Sequence, residues 1–556
     1  MTCKTLSMEY QSPLSRLYHW EKTNPDKIFL KQPIDNTWHT WTWKQAASEV
    51  RQLAAAIKAL DFPPASNIAL LSKNSAHWMI CDLAIMMSGH VSVPVYPNSQ
   101  SSTLRQILEH SESKMLFVGK LDGWHLLRAG VPDNLPCIAM PFCKVEGCTS
   151  WETFSGNISP LQDNIDRGPD ELATIVYTSG TTGTPKGVMF NFSSFSFVAH
   201  HAIRHLKFNH YSRFFSYLPL SHIAERVLVE TISLYVGGEV SFAESLQSFS
   251  KNLQEAKPTV FLGVHRIWSK FQEGILAKIP QQKLDVLLSI PVVSLIVKRK
   301  IVKGLGLNEA SMVLTGAAPT PVSLINWFKR LGIQIQEAYA MTENCCYSHV
   351  SLKENGKVGY VGQPLPLVEV RLGEENEIQI RHGALMAGYY KEQEKTAEVL
   401  TEDGFLKTGD EGFIDEDSFL KITGRVKDLF KTAKGKYVAP SPIEMKLMSN
   451  SDIGQVCVVG SGMPQPMAIS VLSERSMKKE WNEIETTLKT TLRQINKSLE
   501  AHEKIAKIVV VGEDWTVENN LLTPSFKIKR NQVEKMYAPY YDLWNDNPAT
   551  IVRQAS

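Results

Sequence analysis

Hydrophobic positions recur along this chain with two alternating periods. SEVRQLAAAIKAL, Ser48 to Leu60, has apolar residues at helical spacing and predicts a helix. NIALLSKNSAHWMICDLAIMMSGHVSVPVY, Asn67 to Tyr96, reads as strand, loop, helix, strand. Asn74 or Ser75 is placed to cap that helix, Gly89 to end it, and VSVPVY is β-rich. Short β-prone runs return at TIVYTSG, FFSYLPL, TVFLGV and SMVLTGAA, each ending in small or polar residues. This alternation predicts an α/β architecture of parallel-rich sheets with helices packed on their faces. In such sheets ligands bind where strands end, so one shared site among these loops is expected.

The pattern then shifts. EIQIRHGALMAGYY and the run from Gly404 to Pro440 are turn-rich and β-like, which suits antiparallel strands in a small β-barrel-like part. Past Pro442 the alternation resumes: PIEMKLMSN as helix, IGQVCVVGSG and AISVLS as strands, a charged helix from Glu480 to Leu499, and IAKIVVVGEDW as strand. A boundary between Gly424 and Asp428 divides the chain into a large domain, residues 1–424, and a small α+β domain, residues 429–556. A C-terminal piece of about 130 residues is long enough to fold as its own unit.

Composition narrows this reading only slightly. With 556 residues, 43% hydrophobic and 21% charged, the chain is an ordinary soluble type long enough for two or more domains. Its 59 basic and 57 acidic side chains nearly balance, which gives no argument for nucleic acid as a partner. The N-terminal stretch has no apolar core of the signal-peptide kind, so none is expected. The eight cysteines contain no C-x-x-C pair, and reduced thiols in the cytoplasm are expected. Cys143 and Cys148 lack a second ligand pair for zinc. His201 and His205 lie one helical turn apart without a third ligand, and a plain helix face is the stronger reading. VLLSIPVVSLIVKRKIVK, residues 286–303, is apolar and then basic. Its apolar part, residues 286–297, is twelve residues long and contains a proline, so it cannot span a bilayer as a straight helix; the segment is a candidate for peripheral membrane contact, and a buried helix with a basic end fits it equally.

Chemistry gathers at the strand ends. After Tyr177 stand Thr178, Ser179, Gly180, Thr181, Thr182, Gly183, Thr184, Pro185, Lys186 and Gly187. The loop matches neither the Walker-A spacing nor G-x-G-x-x-G. Its glycines let backbone N–H groups approach a polyphosphate, its hydroxyls donate, and Lys186 adds charge. An ordinary turn needs only one or two such residues. EAYAMTEN, Glu337 to Asn344, offers Tyr339 to stack on a base, Thr342 for a phosphate oxygen and Glu343 for Mg²⁺. Alone it is as readily a surface loop. Asp410 in LKTGDEG could accept from ribose hydroxyls, although alone it reads as a turn aspartate. Arg425 and Lys427 fall at the domain boundary, and Lys527 lies in LLTPSFKIKR, where spacing alone does not distinguish it from a basic helix start.

The ordered set YTSGTTGTPKG, YAMTEN, KTGD and GRVKD resembles the adenylate-forming superfamily of acyl-CoA synthetases, luciferases and peptide-synthetase adenylation domains. The resemblance covers most of the chain, from about Trp41 to Arg530. YLPLSHIAER, GVHRIWSKF, KTAKGKYVAPSPIE and LLTPSFKIKR are similar to the long-chain fatty acyl-CoA synthetases of the bubblegum type. This implies a large N-terminal domain, a mobile C-terminal domain and two steps. A carboxylate attacks the α-phosphate of MgATP, and coenzyme A then displaces AMP. ATP, Mg²⁺, coenzyme A and a long-chain fatty acid are the implied cofactor and substrates.

Residue by residue, the resemblance implies that Thr178 through Lys186 hold phosphates and that Glu343, with Thr178, holds Mg²⁺. Gly316, Ala317, Ala318 and the edge Glu337, Ala338, Tyr339 take adenine, with Thr342 beside them. Asp410 and Arg425 take ribose, Lys427 in 425–428 is the hinge, and Lys527 is the adenylation lysine. His222 and Gly263 line the acyl side, while Gly435 and Lys436 enter for the thioester step. Two departures stand out: Phe526 precedes Lys527 where glycine is common, and Phe405 replaces a common tryptophan. An acyl-AMP ligase serving a carrier protein and a degenerate nucleotide or acyl sensor are the competing readings. Retention of Lys186, Glu343 and Lys527 weighs against the sensor.

Overall fold

The computed structural model describes residues 10–143, 145–178, 185–523 and 526–554. Among these, one sheet has, in spatial order, Gly388–Tyr389, Lys186–Asn191, Leu172–Thr178, Val91–Val95, Asn67–Leu71, Met115–Val118, Cys137–Ala139 and Thr149–Ser150. Its middle strands run parallel, and Leu172–Thr178 turns back on Lys186–Asn191 as an antiparallel hairpin. In a second sheet Glu239–Phe242, Arg213–Ser216, Val260–Leu262, Met312–Thr315 and Gln336–Tyr339 lie side by side and parallel. The parallel runs expected from the apolar pattern are therefore present, with their ends facing common loops.

The helix Ala76–Met87 packs against strands of both sheets and is buried along its whole length. Apart from His77 and Asp82 its residues are apolar on every side rather than on one stripe, as suits a helix enclosed all round. Ser75 caps it, its Oγ accepting from Trp78 N at 3.1 Å. Asn74 is used differently. Its amide donates to Ser216 Oγ at 2.7 Å and its oxygen accepts from Leu220 N at 2.9 Å, tying one sheet to the other. Deeper, Arg226 donates to both oxygens of Asp82 at 2.6 Å and to Thr174 Oγ1 at 2.6 Å, while Ser92 donates to Asp82. Glu230 lies 3.4 Å from the same guanidinium, and burial beside Asp82 pushes its carboxyl well above the usual range. Such a pair needs its partners, because removing one strands the other without water.

A third sheet is antiparallel, in the order Glu369–Leu372, Glu377–Arg381, Leu406–Ile414, Leu420–Arg425. Its outer strands do not pair with each other among the described residues, so the expected barrel-like part is an open four-stranded sheet. The C-terminal part carries a sheet of Ile453–Val459, Met467–Leu472, Ile508–Val511 and Ile551–Arg553. Helices Pro440–Leu447 and Trp481–Lys497 cover one face, and Arg530–Tyr537 with Tyr541–Asp546 cover the other, each face with its own core. In Trp481–Lys497 the buried residues Ile484, Leu488, Leu492 and Ile495 form the single stripe of a half-exposed helix.

The two parts touch along the helix His265–Lys278. Lys270 lies 3.8 Å from Glu474, and the Arg266 guanidinium lies 5.9 Å from the Phe526 ring centroid. Among the described residues the cysteines are free thiols, and His201 packs against Phe197 with ring centroids 4.6 Å apart.

Candidate active site

The hairpin between Leu172–Thr178 and Lys186–Asn191 pairs Thr178 directly with Lys186, which puts both at the root of the intervening loop. Ser179, Gly180, Thr181, Thr182, Gly183 and Thr184 lie outside the described residues. The next strand over, Gly388–Tyr389, brings in Tyr389. Lys186 Nζ stands 4.8 Å from the Tyr389 ring centroid, and the Tyr389 hydroxyl donates to Glu343 Oε1 at 2.8 Å. Burial and the neighbouring Glu343 raise the Tyr389 phenol, so it remains a donor. Candidate phosphate lysine and candidate metal carboxylate thus meet across one tyrosine. That tyrosine was not singled out from sequence; the only trace of it was its place in GALMAGYY.

Glu343 and Thr342 follow the strand Gln336–Tyr339. The Thr342 carbonyl accepts from Cys345 N at 2.9 Å, and the Glu343 carbonyl from Met386 N at 2.9 Å, which fixes the turn that carries both side chains. Beside that strand runs Met312–Thr315, with Thr315 opposite Glu337. Gly316 comes next, and a Cβ there would sit 3.1 Å from the Ala338 carbonyl, a tight contact that glycine avoids. Ala317 has φ +66°, a left-handed conformation that costs a non-glycine residue roughly 1–2 kcal/mol and is retained mainly at functional sites. Gly316, Ala317, Ala318, Ala338 and Tyr339 therefore share one edge. The Glu337 carboxyl leaves that edge and accepts from Gly359 N at 2.8 Å; burial pushes its pKa up to about 7.

Asp410 and Arg425 face each other across the antiparallel pair, 15 residues apart in sequence and directly opposite in register. Arg425 Nε donates to Asp410 Oδ1 at 2.8 Å, and the Tyr339 hydroxyl donates to Oδ2 at 2.7 Å. The two hydrogen bonds hold the carboxylate over the edge just described.

Lys527 reaches the same place from the C-terminal part. A tight turn holds it: Thr523 N donates to the Lys527 carbonyl and Phe526 N to the Thr523 carbonyl, each at 2.8 Å. Phe526 has φ +61°, which is why glycine suits this position. The Lys527 side chain is open to solvent, yet protein is crowded around it. That crowding, then Arg425, lowers its pKa, while Asp410 and Glu343 act in the opposite direction. His222 faces the same charge. Burial and then Lys527 push its pKa down to about 4, and its Nδ1 accepts from Ala224 N at 3.2 Å, so Nε2 carries the proton near neutral pH.

Gly263 ends the strand Val260–Leu262, where a Cβ would lie 2.6 Å from the Trp268 indole; Trp268 Nε1 donates to its carbonyl at 2.8 Å. Lys427 is exposed in the short turn Val426–Asp428. Gly435, with φ +75°, and Lys436 stand exposed on the hairpin of Phe430–Lys431 and Tyr437–Val438. Lys186, Glu343, Asp410, Arg425, Lys527 and His222 are thus gathered, whereas Gly435 and Lys436 sit on an outer surface of the C-terminal part. Glu225 was also missed. It is buried, accepts from Tyr217 N at 2.9 Å, and its carboxyl is pushed up to about 8 by burial.

A large α/β part and a small C-terminal part closing on one cleft is the fold of the adenylate-forming enzymes. The adenylation domain of a carboxylate reductase from Mycobacterium chelonae superposes with a TM-score of 0.81 at 20% identity, covering 97% of this chain and 91% of that one. The chain belongs to the AMP-binding enzyme family: that family's model matches residues 17–390, and the AMP-binding enzyme C-terminal domain matches residues 427–542. Among curated relatives, the long-chain-fatty-acid–CoA ligase FadD15 of Mycobacterium bovis is 28% identical over 95% of this chain and 96% of its own. The long-chain-fatty-acid–CoA ligase ACSBG2 of Xenopus laevis is 26% identical over 94% of this chain and 82% of its own.

Proposed function

We propose that this protein is an ATP-dependent long-chain fatty acid–CoA ligase. The observation that carries the reading is the Arg425–Asp410 pair, bonded at 2.8 Å, with Lys527 of the C-terminal part within electrostatic reach of it and of Glu343. The near full-length relatives named as long-chain-fatty-acid–CoA ligases support the substrate class. In the first step the fatty carboxylate attacks the α-phosphorus of ATP, the bond to the β-phosphate oxygen breaks, and pyrophosphate leaves. Both reactants are anions, so the work is alignment and charge neutralisation. Lys186 and the loop rooted at Thr178 hold the β- and γ-phosphates, and Lys527 neutralises charge growing on the α-phosphate and the attacking oxygen. Gly316, Ala317, Ala318 and Tyr339 hold the adenine, and Asp410 with Arg425 the ribose. Neutral His222 donates from Nε2 toward the acyl carboxylate.

Among the described residues no three His, Cys, Asp or Glu side chains gather into a metal cage. One carboxylate completed by phosphates and water is a set Mg²⁺ accepts, and Glu343 beside Thr178 and Lys186 fits it. When bound there, Mg²⁺ supplies charge neutralisation to the phosphates.

In the second step the coenzyme A thiol attacks the acyl carbon and AMP leaves. This requires the lysine to withdraw, and we take residues 425–428 as the hinge about which residues 429–556 turn, bringing Gly435 and Lys436 inward. Among the described residues no helix is long and apolar enough to cross a membrane. The same reading takes the enzyme to a membrane surface through residues 286–303, where a water-insoluble acid resides. The test is AMP formation from MgATP with palmitate. AMP that requires both palmitate and coenzyme A supports the reading. Acyl-AMP accumulating irrespective of coenzyme A overturns it in favour of an acyl-AMP ligase.

A further inference from the structure

The segment that is apolar and then basic folds as a helical hairpin, Gln281–Ser289 and Pro291–Gly304. Its inner side is ordinary core: Leu284 and Ile301 are buried against Trp268, Phe328 and their neighbours. Its outer side is not. Val286, Ile290, Val292, Leu295 and Ile296 are 61%, 46%, 70%, 58% and 51% exposed. Single exposed apolar residues need no explanation, but a cluster of this kind on a rigid element does.

The arrangement along the second helix is directional. Val292, Leu295, Ile296, Arg299 and Lys303 fall at spacings of three, four, seven and eleven from the first, so they share one face. On that face the apolar side chains sit next to the turn and the basic ones farther from it. Lys298 and Lys300 flank Arg299, and Lys283 is exposed on the first helix. Val292 and Arg299 are seven residues apart, about 10 Å along a helix. An interfacial helix buries its apolar face to a depth of about 5–10 Å, with its cations at headgroup level. The sole acid of the hairpin, Asp285, is paired with Arg330.

Charge is uneven as well. Residues 278–304 contain Lys278, Lys283, Lys298, Arg299, Lys300 and Lys303 against Asp285, a net charge of +5, whereas the whole chain has +2. The remainder of the molecule is therefore −3. An apolar-tipped basic hairpin on a net-acidic body meets an anionic surface in one orientation.

We propose that this hairpin docks the protein on an anionic lipid bilayer, with Val286, Ile290, Val292, Leu295 and Ile296 inserted below the headgroups. Lys298, Arg299, Lys300 and Lys303 form a collar on the lipid phosphates. This deepens the membrane contact that belongs to the ligase reading and rests on it for its purpose, while the docking itself is read without the ligase reaction. The partner is the bilayer rather than a second copy of the chain, because the net charge of +5 over residues 278–304 would repel its own copy across a symmetric contact.

The experiment is sedimentation of the full chain with phosphatidylcholine vesicles, with and without 30% phosphatidylserine. The wild type is expected in the pellet with phosphatidylserine and largely in the supernatant without it. Each cation at an anionic surface contributes roughly a fivefold factor in binding. Lys298→Glu with Lys300→Glu should therefore weaken binding at least tenfold and remove the phosphatidylserine dependence. Val292→Asp with Leu295→Asp should release the protein from the phosphatidylserine-containing vesicles. Both variants are surface changes, and each should keep its melting temperature and its turnover of octanoate, a water-soluble acid. Wild-type protein that stays in the supernatant, or variants that sediment like the wild type, overturn the proposal. So does a wild-type dimer by light scattering that becomes monomeric in Val292→Asp with Leu295→Asp. Loss of all turnover with any acid strikes the ligase reading and leaves the vesicle result intact.

Discussion

Phe526 sits immediately before Lys527 in a conformation that disfavours it, and its ring centroid lies 5.9 Å from the Arg266 guanidinium of the large part. The two features belong to different equilibria. The turn that imposes φ +61° is closed by hydrogen bonds within the C-terminal part, so its strain of roughly 1–2 kcal/mol travels with that part wherever it moves. The ring contact with Arg266, about 0.5–1 kcal/mol at an exposed site, exists only when the two parts are disposed as here. Arg266 also faces Asp514 and Glu474, so Phe526 is the partner to alter if one contact is to be removed. Phe526→Ala keeps the strain and loses the ring. Phe526→Gly loses both, but glycine adds about 0.5–1 kcal/mol of chain entropy to the unfolded state, which offsets the relief. Both variants should therefore slow adenylation, read as pyrophosphate release, by up to about fivefold, since 1.36 kcal/mol is a factor of ten. Both should leave thioester formation from supplied acyl-AMP unchanged or faster, and melting temperatures should differ little. Equal slowing of both steps, or unchanged adenylation in both variants, would refute the reasoning.

Three further outcomes follow from the site. Lys527→Ala should cut acyl-adenylate formation by about a hundredfold or more while leaving the thioester step from supplied acyl-AMP, measured by stopped-flow with each substrate; equal loss of both steps sinks that role. Tyr389→Phe removes a hydrogen bond to a carboxylate, about 1.5–3 kcal/mol, and should raise the Mg²⁺ concentration for half-maximal activity about tenfold, read by titration at saturating ATP. Glu225, pushed up to about 8, holds its proton in the folded protein after the unfolded chain has lost it near 4.5. Stability should therefore fall as pH rises from 5 to 8, by an amount on the order of 3 kcal/mol near neutrality, and Glu225→Gln should flatten that slope in thermal melts.

What sequence could disclose depended on how locally each feature is encoded. Thr178 and Lys186 belong to one dense loop, and Tyr339 to Glu343 to one short turn, so their chemistry was legible before any fold was known. Asp410 read alone as a turn aspartate; only the register that sets it opposite Arg425 makes them a pair. Tyr389 escaped notice because its partners, Lys186 and Glu343, are remote in sequence and meet only when Gly388–Tyr389 adds to the sheet edge. The Asp82, Arg226 and Glu230 cluster was equally hidden, since charged residues in an amphipathic-looking run give no sign that all sides will be covered. Asn74 was offered as a cap, but its amide is spent between the sheets, and the shorter Ser75 caps instead. Phe526 was visible as a departure, yet its cost is a backbone angle that composition does not carry.

In the proposed reaction the fatty carboxylate itself attacks the α-phosphorus before coenzyme A enters. The direct measurement is mass spectrometry of the nucleotide product after turnover of palmitate labelled with ¹⁸O in both carboxyl oxygens, together with MgATP and coenzyme A. Attack through the carboxylate leaves one labelled oxygen on AMP when the thiol displaces it, and palmitoyl-CoA forms in equal amount. Unlabelled AMP accompanied by palmitoyl-CoA, or label appearing in inorganic phosphate or pyrophosphate, would contradict the account.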